Sequence, residues 1–210
     1  MSIRRAACLA GLAATLPLAG CSAPVNTAEL GPEAAFHLDL SKRLCGETLT
    51  GRVVSTQAVD ADWRAEVLTL GPVVCTSDAL APDMPERDGD AVMVLPLAVG
   101  EDRSRIWTLR FEPDGQALEF RHYHYEPDGS PSPVTSYGGE ALPGGTATEQ
   151  RFPADAATRA NFTANGIARS NPNIWTLSLD PAAGTLTYAL ARPATDTDEA
   201  RDFRAVFELD

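Results

Sequence analysis

From residue 48 onward, apolar and polar residues alternate along most of this chain. Arg105-Ile106-Trp107-Thr108-Leu109-Arg110-Phe111-Glu112 and Leu118-Glu119-Phe120-Arg121-His122-Tyr123-His124 flank Pro113-Asp114-Gly115, a strong hairpin signal. With the turn at Asp114-Gly115, Trp107, Leu109 and Phe111 stand opposite His122, Phe120 and Leu118 on one face. The other face sets Arg110 against Glu119, an opposite-charge cross-strand pair. A one-residue slip destroys both matches, so the register is well specified. Trp175-Thr176-Leu177-Ser178-Leu179 and the run from Gly184 to Leu190 repeat this grammar, with Trp175, Leu177 and Leu179 opposite Leu190, Tyr188 and Leu186.

The rest of the pattern adds strands. Runs around Thr48–Ser55 and Trp63–Val74 form a hairpin if Asp60 sits at the turn. Cys45 then falls opposite Cys75, within disulfide range, and Leu49, Val53, Val67 and Val73 share a face. Ala91 to Val99 is a continuous apolar run whose Pro96 points to a sheet edge or a bulge. Further strands are expected at Val134–Tyr137, Thr146–Phe152 and Phe203–Leu209, with loops from Ser77 to Asp90 and from Glu126 to Pro133. Ala35 to Lys42 allows a short helical turn. Asp155 to Phe162 reads as a helix capped by Asp155 and stopped by Gly166. The expected fold is mainly β: an antiparallel meander closing into a lipocalin-like barrel or half-barrel, with one short helix near 155–165. A two-sheet sandwich is the alternative, because a meander must protect its edges one way or the other.

The first residues follow a different pattern. Arg4 and Arg5 precede an apolar run, Ala6 to Gly20, too short to span a bilayer. It ends in Leu18-Ala19-Gly20-Cys21, which resembles the lipobox of bacterial lipoproteins. The resemblance implies cleavage before Cys21, a diacylglycerol on its sulfur and acylation of the new N-terminus. Several acyl chains anchor a protein durably. Ser22, in place of Asp, implies outer-membrane delivery with the domain facing the periplasm. The chain then divides into a signal peptide (1–20), a flexible tether (21–34) and a single all-β domain (35–210). Cys45 and Cys75 are the pair left to form a disulfide in that oxidising compartment. The domain itself resembles a group of uncharacterised secreted proteins of Gram-negative bacteria. The likeness lies in Gly100-Glu101-Asp102-Arg103-Ser104-Arg105, His122-x-His124, Tyr137-Gly138-Gly139 and Phe152-Pro153-Ala154-Asp155, and it implies no activity. The Gly-x-Trp of lipocalins has no counterpart near the first strand.

A net charge of −12 argues against nucleic acid and against electrostatic docking on anionic lipid. The candidate chemistry lies at the open end of the first hairpin. His122 occupies the place that Leu190 holds in the second hairpin, and Arg105–His124 corresponds to Asn173–Arg192. Titratable groups ending an apolar face mark a ligand mouth, giving Arg103, Arg105, Trp107, His122 and His124 as candidate binding residues. Arginine forks there would recognise a carboxylate or phosphate. His122 and His124, two apart on a strand, are also the candidate metal pair, with His37, Asp102 and Glu126 unselected as third ligands. No nucleophile elbow, Walker loop, dinucleotide fingerprint or His-Glu-x-x-His motif is present, so no catalytic residue or cofactor is assigned. The expected protein is a non-enzymatic envelope lipoprotein that binds a small anionic ligand or an envelope protein. The alternative is a metal-dependent or hydrolytic envelope enzyme built on His122 and His124.

Overall fold

A computed structural model describes residues 30–76, 90–114 and 116–209; the leader, Cys21, most of the tether and residues 77–89 lie outside them. Helix α1 (Pro32–Leu44) leads into β1 (Leu49–Val53), and a helical turn at Ala58–Asp60 runs into α2 (Ala61–Arg64). Strands β2 (Leu68–Leu70), β3 (Val74–Thr76), β4 (Ala91–Val99), β5 (Asp102–Glu112), β6 (Ala117–His124), β7 (Tyr137–Glu140) and β8 (Glu149–Pro153) follow. Then come α3 (Ala156–Ala164), β9 (Ile174–Asp180), β10 (Thr185–Arg192) and β11 (Arg201–Glu208). The strands form one antiparallel sheet ordered β7-β6-β5-β4-β2-β1-β11-β10-β9-β8, with β3 added to β4 beyond β2.

The sheet curls into a nearly closed barrel, the architecture expected from the hairpin grammar. Its two end strands meet at a seam where Leu142 N–H donates to the Arg151 carbonyl (2.8 Å) and Asp155 N–H to the Gly138 carbonyl (2.9 Å). Thr158 in α3 adds two bonds to Gly138, its Oγ1 accepting from the amide (2.8 Å) and donating to the carbonyl (2.9 Å). Glycines permit close approach on both sides of β7, to β6 at Gly138 and to the seam at Gly139. A Cβ on Gly138 would lie 1.9 Å from the Phe120 carbonyl oxygen, and one on Gly139 would lie 2.1 Å from that of Pro153. Asp155 caps α3 as expected, accepting from Thr158 N–H (2.7 Å).

Both Trp-Thr-Leu hairpins pair in the expected registers: Trp107 faces His122 and Arg110 faces Glu119, while Trp175 faces Leu190 and Leu179 faces Leu186. Their inward residues, with Phe152, Phe203 and Phe207, fill the barrel core.

Other elements depart from expectation. α1 is a thirteen-residue helix beginning at Pro32, within the stretch read as tether. It buries Phe36, Leu40 and Leu44, four residues apart on one face, against β5, β6 and β8. The first hairpin is shifted by one residue. Leu49 faces Leu70, so Leu68 and Leu70 point inward and Val67 is 61% exposed rather than in the core. The cause is the connection: residues 58–64 form a helical segment, not a symmetric turn about Asp60. The Cys45–Cys75 disulfide is nevertheless present, with the Cα atoms 5.6 Å apart. It joins the residue after α1 to β3, so it pins the helix to the wall. Pro96 lies in an interior strand, not at an edge. Its carbonyl accepts from Gly71 N–H (2.8 Å) where β2 gives way to β3, so the missing N–H falls at a break in the neighbouring ladder. A register shift follows directly, between Leu97 and Val99.

Replacing Cys45 and Cys75 together with Ala should lower the unfolding free energy by about 3–4 kcal/mol, the chain-entropy value for a loop of this length. Gly139→Val should cost about 1–3 kcal/mol by overpacking the seam, where a Cβ would meet the Pro153 carbonyl oxygen. Urea titrations of the three proteins check both, and a Gly139→Val protein as stable as the parent would show that the seam can yield.

Candidate functional site

The barrel has two unlike ends. Near the β5–β6 turn, α1 fills the interior, with His37 against Phe111 (ring centroids 5.8 Å apart). Toward the opposite end the core becomes aromatic and then opens. Trp107 stacks on Tyr188 across the barrel (4.4 Å, 16°), and His122 stacks on Tyr137 (4.7 Å, 11°). Above them is a cavity of about 330 Å³, at the small end of the range for ligand pockets, roughly 300–1,000 Å³.

Four of the five candidate residues read from the sequence line this cavity: Arg105, Trp107, His122 and His124. Strand geometry brings them together, because Arg105 and Trp107 face His124 and His122 across the β5–β6 ladder. Arg103 lies further along β5, is exposed, and donates to the Gly100 carbonyl (2.5 Å) outside the cavity.

His122 is fully engaged by the fold. Its Nδ1 lies 3.2 Å from the Tyr137 carbonyl, which only accepts, so Nδ1 carries the proton. Nε2 therefore accepts from the Tyr188 hydroxyl (3.0 Å). Burial holds the His122 pKa down at about 3, against the opposing pull of the Tyr137 carbonyl, and the ring is neutral. Burial likewise pushes the Tyr188 hydroxyl well above its usual range. His124 Nε2 lies 3.1 Å from the Tyr137 hydroxyl. Its pKa falls to about 4, first through burial and then through the charge of Arg105. Burial raises Tyr137 to about 12. With both ring nitrogens of His122 occupied by protein groups, the pair is poorly arranged to share a metal ion. Among the described residues no three His, Cys, Asp or Glu side chains gather into a candidate metal site.

Two arginines face the cavity. Arg105 lies over the Trp63 ring (5.0 Å to the centroid), pairs with Asp102, and donates to Ser104 Oγ (3.2 Å). Against a desolvation penalty, hydrogen bonds from Arg105 and Ser104 hold the Asp102 carboxyl at about 2. Arg201 grips Asp60 with two nitrogens, one at 3.1 Å, and also donates to Gln57 Oε1 (2.7 Å). Asp60 is 1% exposed and accepts a further bond from Ser55 Oγ (2.7 Å). This network latches the 58–64 segment to the start of β11. Trp63, on α2, reaches over the cavity and packs edge-on against Phe203 (5.5 Å).

The sequence reading missed Asp60, Trp63, Tyr137, Tyr188 and Arg201. Tyr188 was visible as an inward position in the second hairpin, but its partner across the barrel was not. Asp60 and Arg201 stand 141 residues apart, and no local pattern links them. Comparison with known protein families, curated proteins and solved structures finds no match.

The buried neutral histidines impose a pH dependence. His122 and His124 fall from 6.5 to about 3 and 4, and burial holds His37 at about 4 despite backbone hydrogen bonds. Because their folded pKa values are depressed, the unfolded chain binds protons that the fold excludes. Stability should be whole above pH 6.5 and lost as pH falls toward 4. Near pH 5 His122 alone contributes a slope of about 1.4 kcal/mol per pH unit. His122→Gln should remove about that much from the slope, as urea titrations from pH 6.5 to about 4.5 will measure.

Proposed function

We propose that this protein is a lipid-anchored envelope protein whose barrel binds a small organic anion in its open end. The observation that carries the binding half is the cavity: a guanidinium, Arg105, set among Trp63, Trp107 and Tyr188 in a space of about 330 Å³. Small-molecule sites combine apolar aromatic walls with a few placed polar groups, and this end of the barrel has that composition. The anchoring half is supported by Leu18-Ala19-Gly20-Cys21 behind a basic and apolar leader. In this reading the domain is a binding module, not an enzyme. Engagement of both His122 nitrogens within the fold favours it over a catalytic role for the histidine pair.

Cys21→Ser should move the protein from the membrane to the soluble envelope fraction in a Gram-negative host, and radiolabelled palmitate should no longer be incorporated. Leu190→Trp, which fills the cavity from β10, should abolish the calorimetric signal that wild type gives with 2-naphthoate while leaving the melting temperature within a few degrees. Equal binding by both proteins would place the ligand elsewhere.

A further inference from the structure

We infer that the ligand is a flat aromatic monocarboxylate, its ring held between the Trp63 and Trp107–Tyr188 surfaces and its carboxylate on Arg105. The inference rests on the binding reading above and specifies its chemistry. Asp60, Arg105 and Arg201 are the charged residues lining the cavity, and the two histidines are neutral. Arg201 is neutralised by the buried Asp60 that it grips with two nitrogens. Asp102, the partner of Arg105, does not line the cavity, and its side chain is 45% exposed against 19% for Arg105. The interior therefore carries one positive charge whose counter-charge is outside, in a chain whose net charge is −12. A cation is repelled there, and a neutral ligand would strip water from Arg105 without replacing its hydrogen bonds.

Donor geometry narrows the anion. Arg105 spends a single terminal nitrogen on both Asp102 and Ser104 Oγ. Its Nε and second terminal nitrogen have no hydrogen-bond partner among the described residues, and neither is a buried unpartnered atom, so that edge of the fork is open. One fork edge fits one carboxylate in two parallel bonds. A phosphate dianion brings a second charge and further acceptors that one guanidinium, already shared with Asp102, does not match. His122 has no nitrogen to spare, and His124 Nε2 is engaged with Tyr137. The remaining walls are apolar or aromatic faces, including Leu97, Leu190 and Phe203. Such surfaces stack well on a planar ring.

Calorimetric titration at pH 7 tests this with four probes sharing one ring system: 2-naphthoate, 2-naphthalenemethanol, 2-naphthylmethylammonium and 2-naphthyl phosphate. Wild type should bind 2-naphthoate at least tenfold more tightly than each of the others. Arg105→Gln should erase the preference for the acid over the alcohol. Arg105→Lys, which keeps the charge without the fork, should retain only part of it, and melting curves confirm that both variants fold. Tighter binding of the phosphate, the ammonium or the alcohol, or an acid preference unchanged in Arg105→Gln, overturns the ligand class while leaving a binding barrel. Failure of all four probes to bind wild type overturns the binding reading itself.

Discussion

An antiparallel barrel of ten strands encloses more space than the side chains of its own walls can fill, since about eight strands already bring the interior to the limit of side-chain packing. The architecture of this protein follows from how that surplus is met. At one end a helix does the filling: Phe36, Leu40 and Leu44 of α1 enter the barrel, and the Cys45–Cys75 bridge holds the helix there. At the other end the filling is aromatic and incomplete. Trp107, Tyr188, His122 and Tyr137 stack into a floor, and the space above them is left to Trp63 of the 58–64 segment and to the cavity.

The floor is stable because its polar atoms are paired. Tyr188, His122 and the Tyr137 carbonyl form one directed chain of hydrogen bonds running across the barrel. Buried polar groups are costly when unpartnered and help specify a single packing when satisfied. The chain explains why a histidine can replace the leucine that the second hairpin carries at the same place. It also changes the meaning of that histidine. From the pattern alone His122 was the most conspicuous candidate for ligand or metal contact; in the fold it is the member of the group with least left to offer. Arg105, with one edge of its guanidinium open, becomes the central residue of the mouth.

Legibility in the sequence tracked the range of the interactions. The two long hairpins were readable to the residue because turn chemistry and alternation constrain a short loop in each. The disulfide was readable even though the adjoining register was not. Cys45 and Cys75 tolerate a one-residue shift because Cys45 follows α1 rather than sitting in the ladder. Pro96 pointed to an edge or a bulge; a register shift stands beside it, but in an interior strand, where the break between β2 and β3 accommodates the missing N–H. The latch on the 58–64 segment was invisible for a stronger reason. Asp60 looked like a turn residue, and only closure of the barrel brings Arg201 to it. A site assembled from one hairpin can be found by comparing hairpins; a site completed from across a barrel cannot.

The same two-ended construction bears on how attachment and recognition relate. Gly31, immediately before α1, lies beside Gln116 in the β5–β6 turn, at the plugged end. Arg105 and His124 lie at the far end of that hairpin, seven residue pairs from Glu112–Ala117, or roughly 23 Å at about 3.3 Å per residue. The chain therefore enters the domain at the end that the helix seals and meets its cavity at the other. Under the proposed reading, a tether upstream of Gly31 bears on the plug and the disulfide, whereas ligand chemistry bears on Arg105, the aromatic floor and the latched 58–64 segment. The two tasks share the barrel wall and little else, so residues at the mouth can vary in chemistry without disturbing the helix that completes the core.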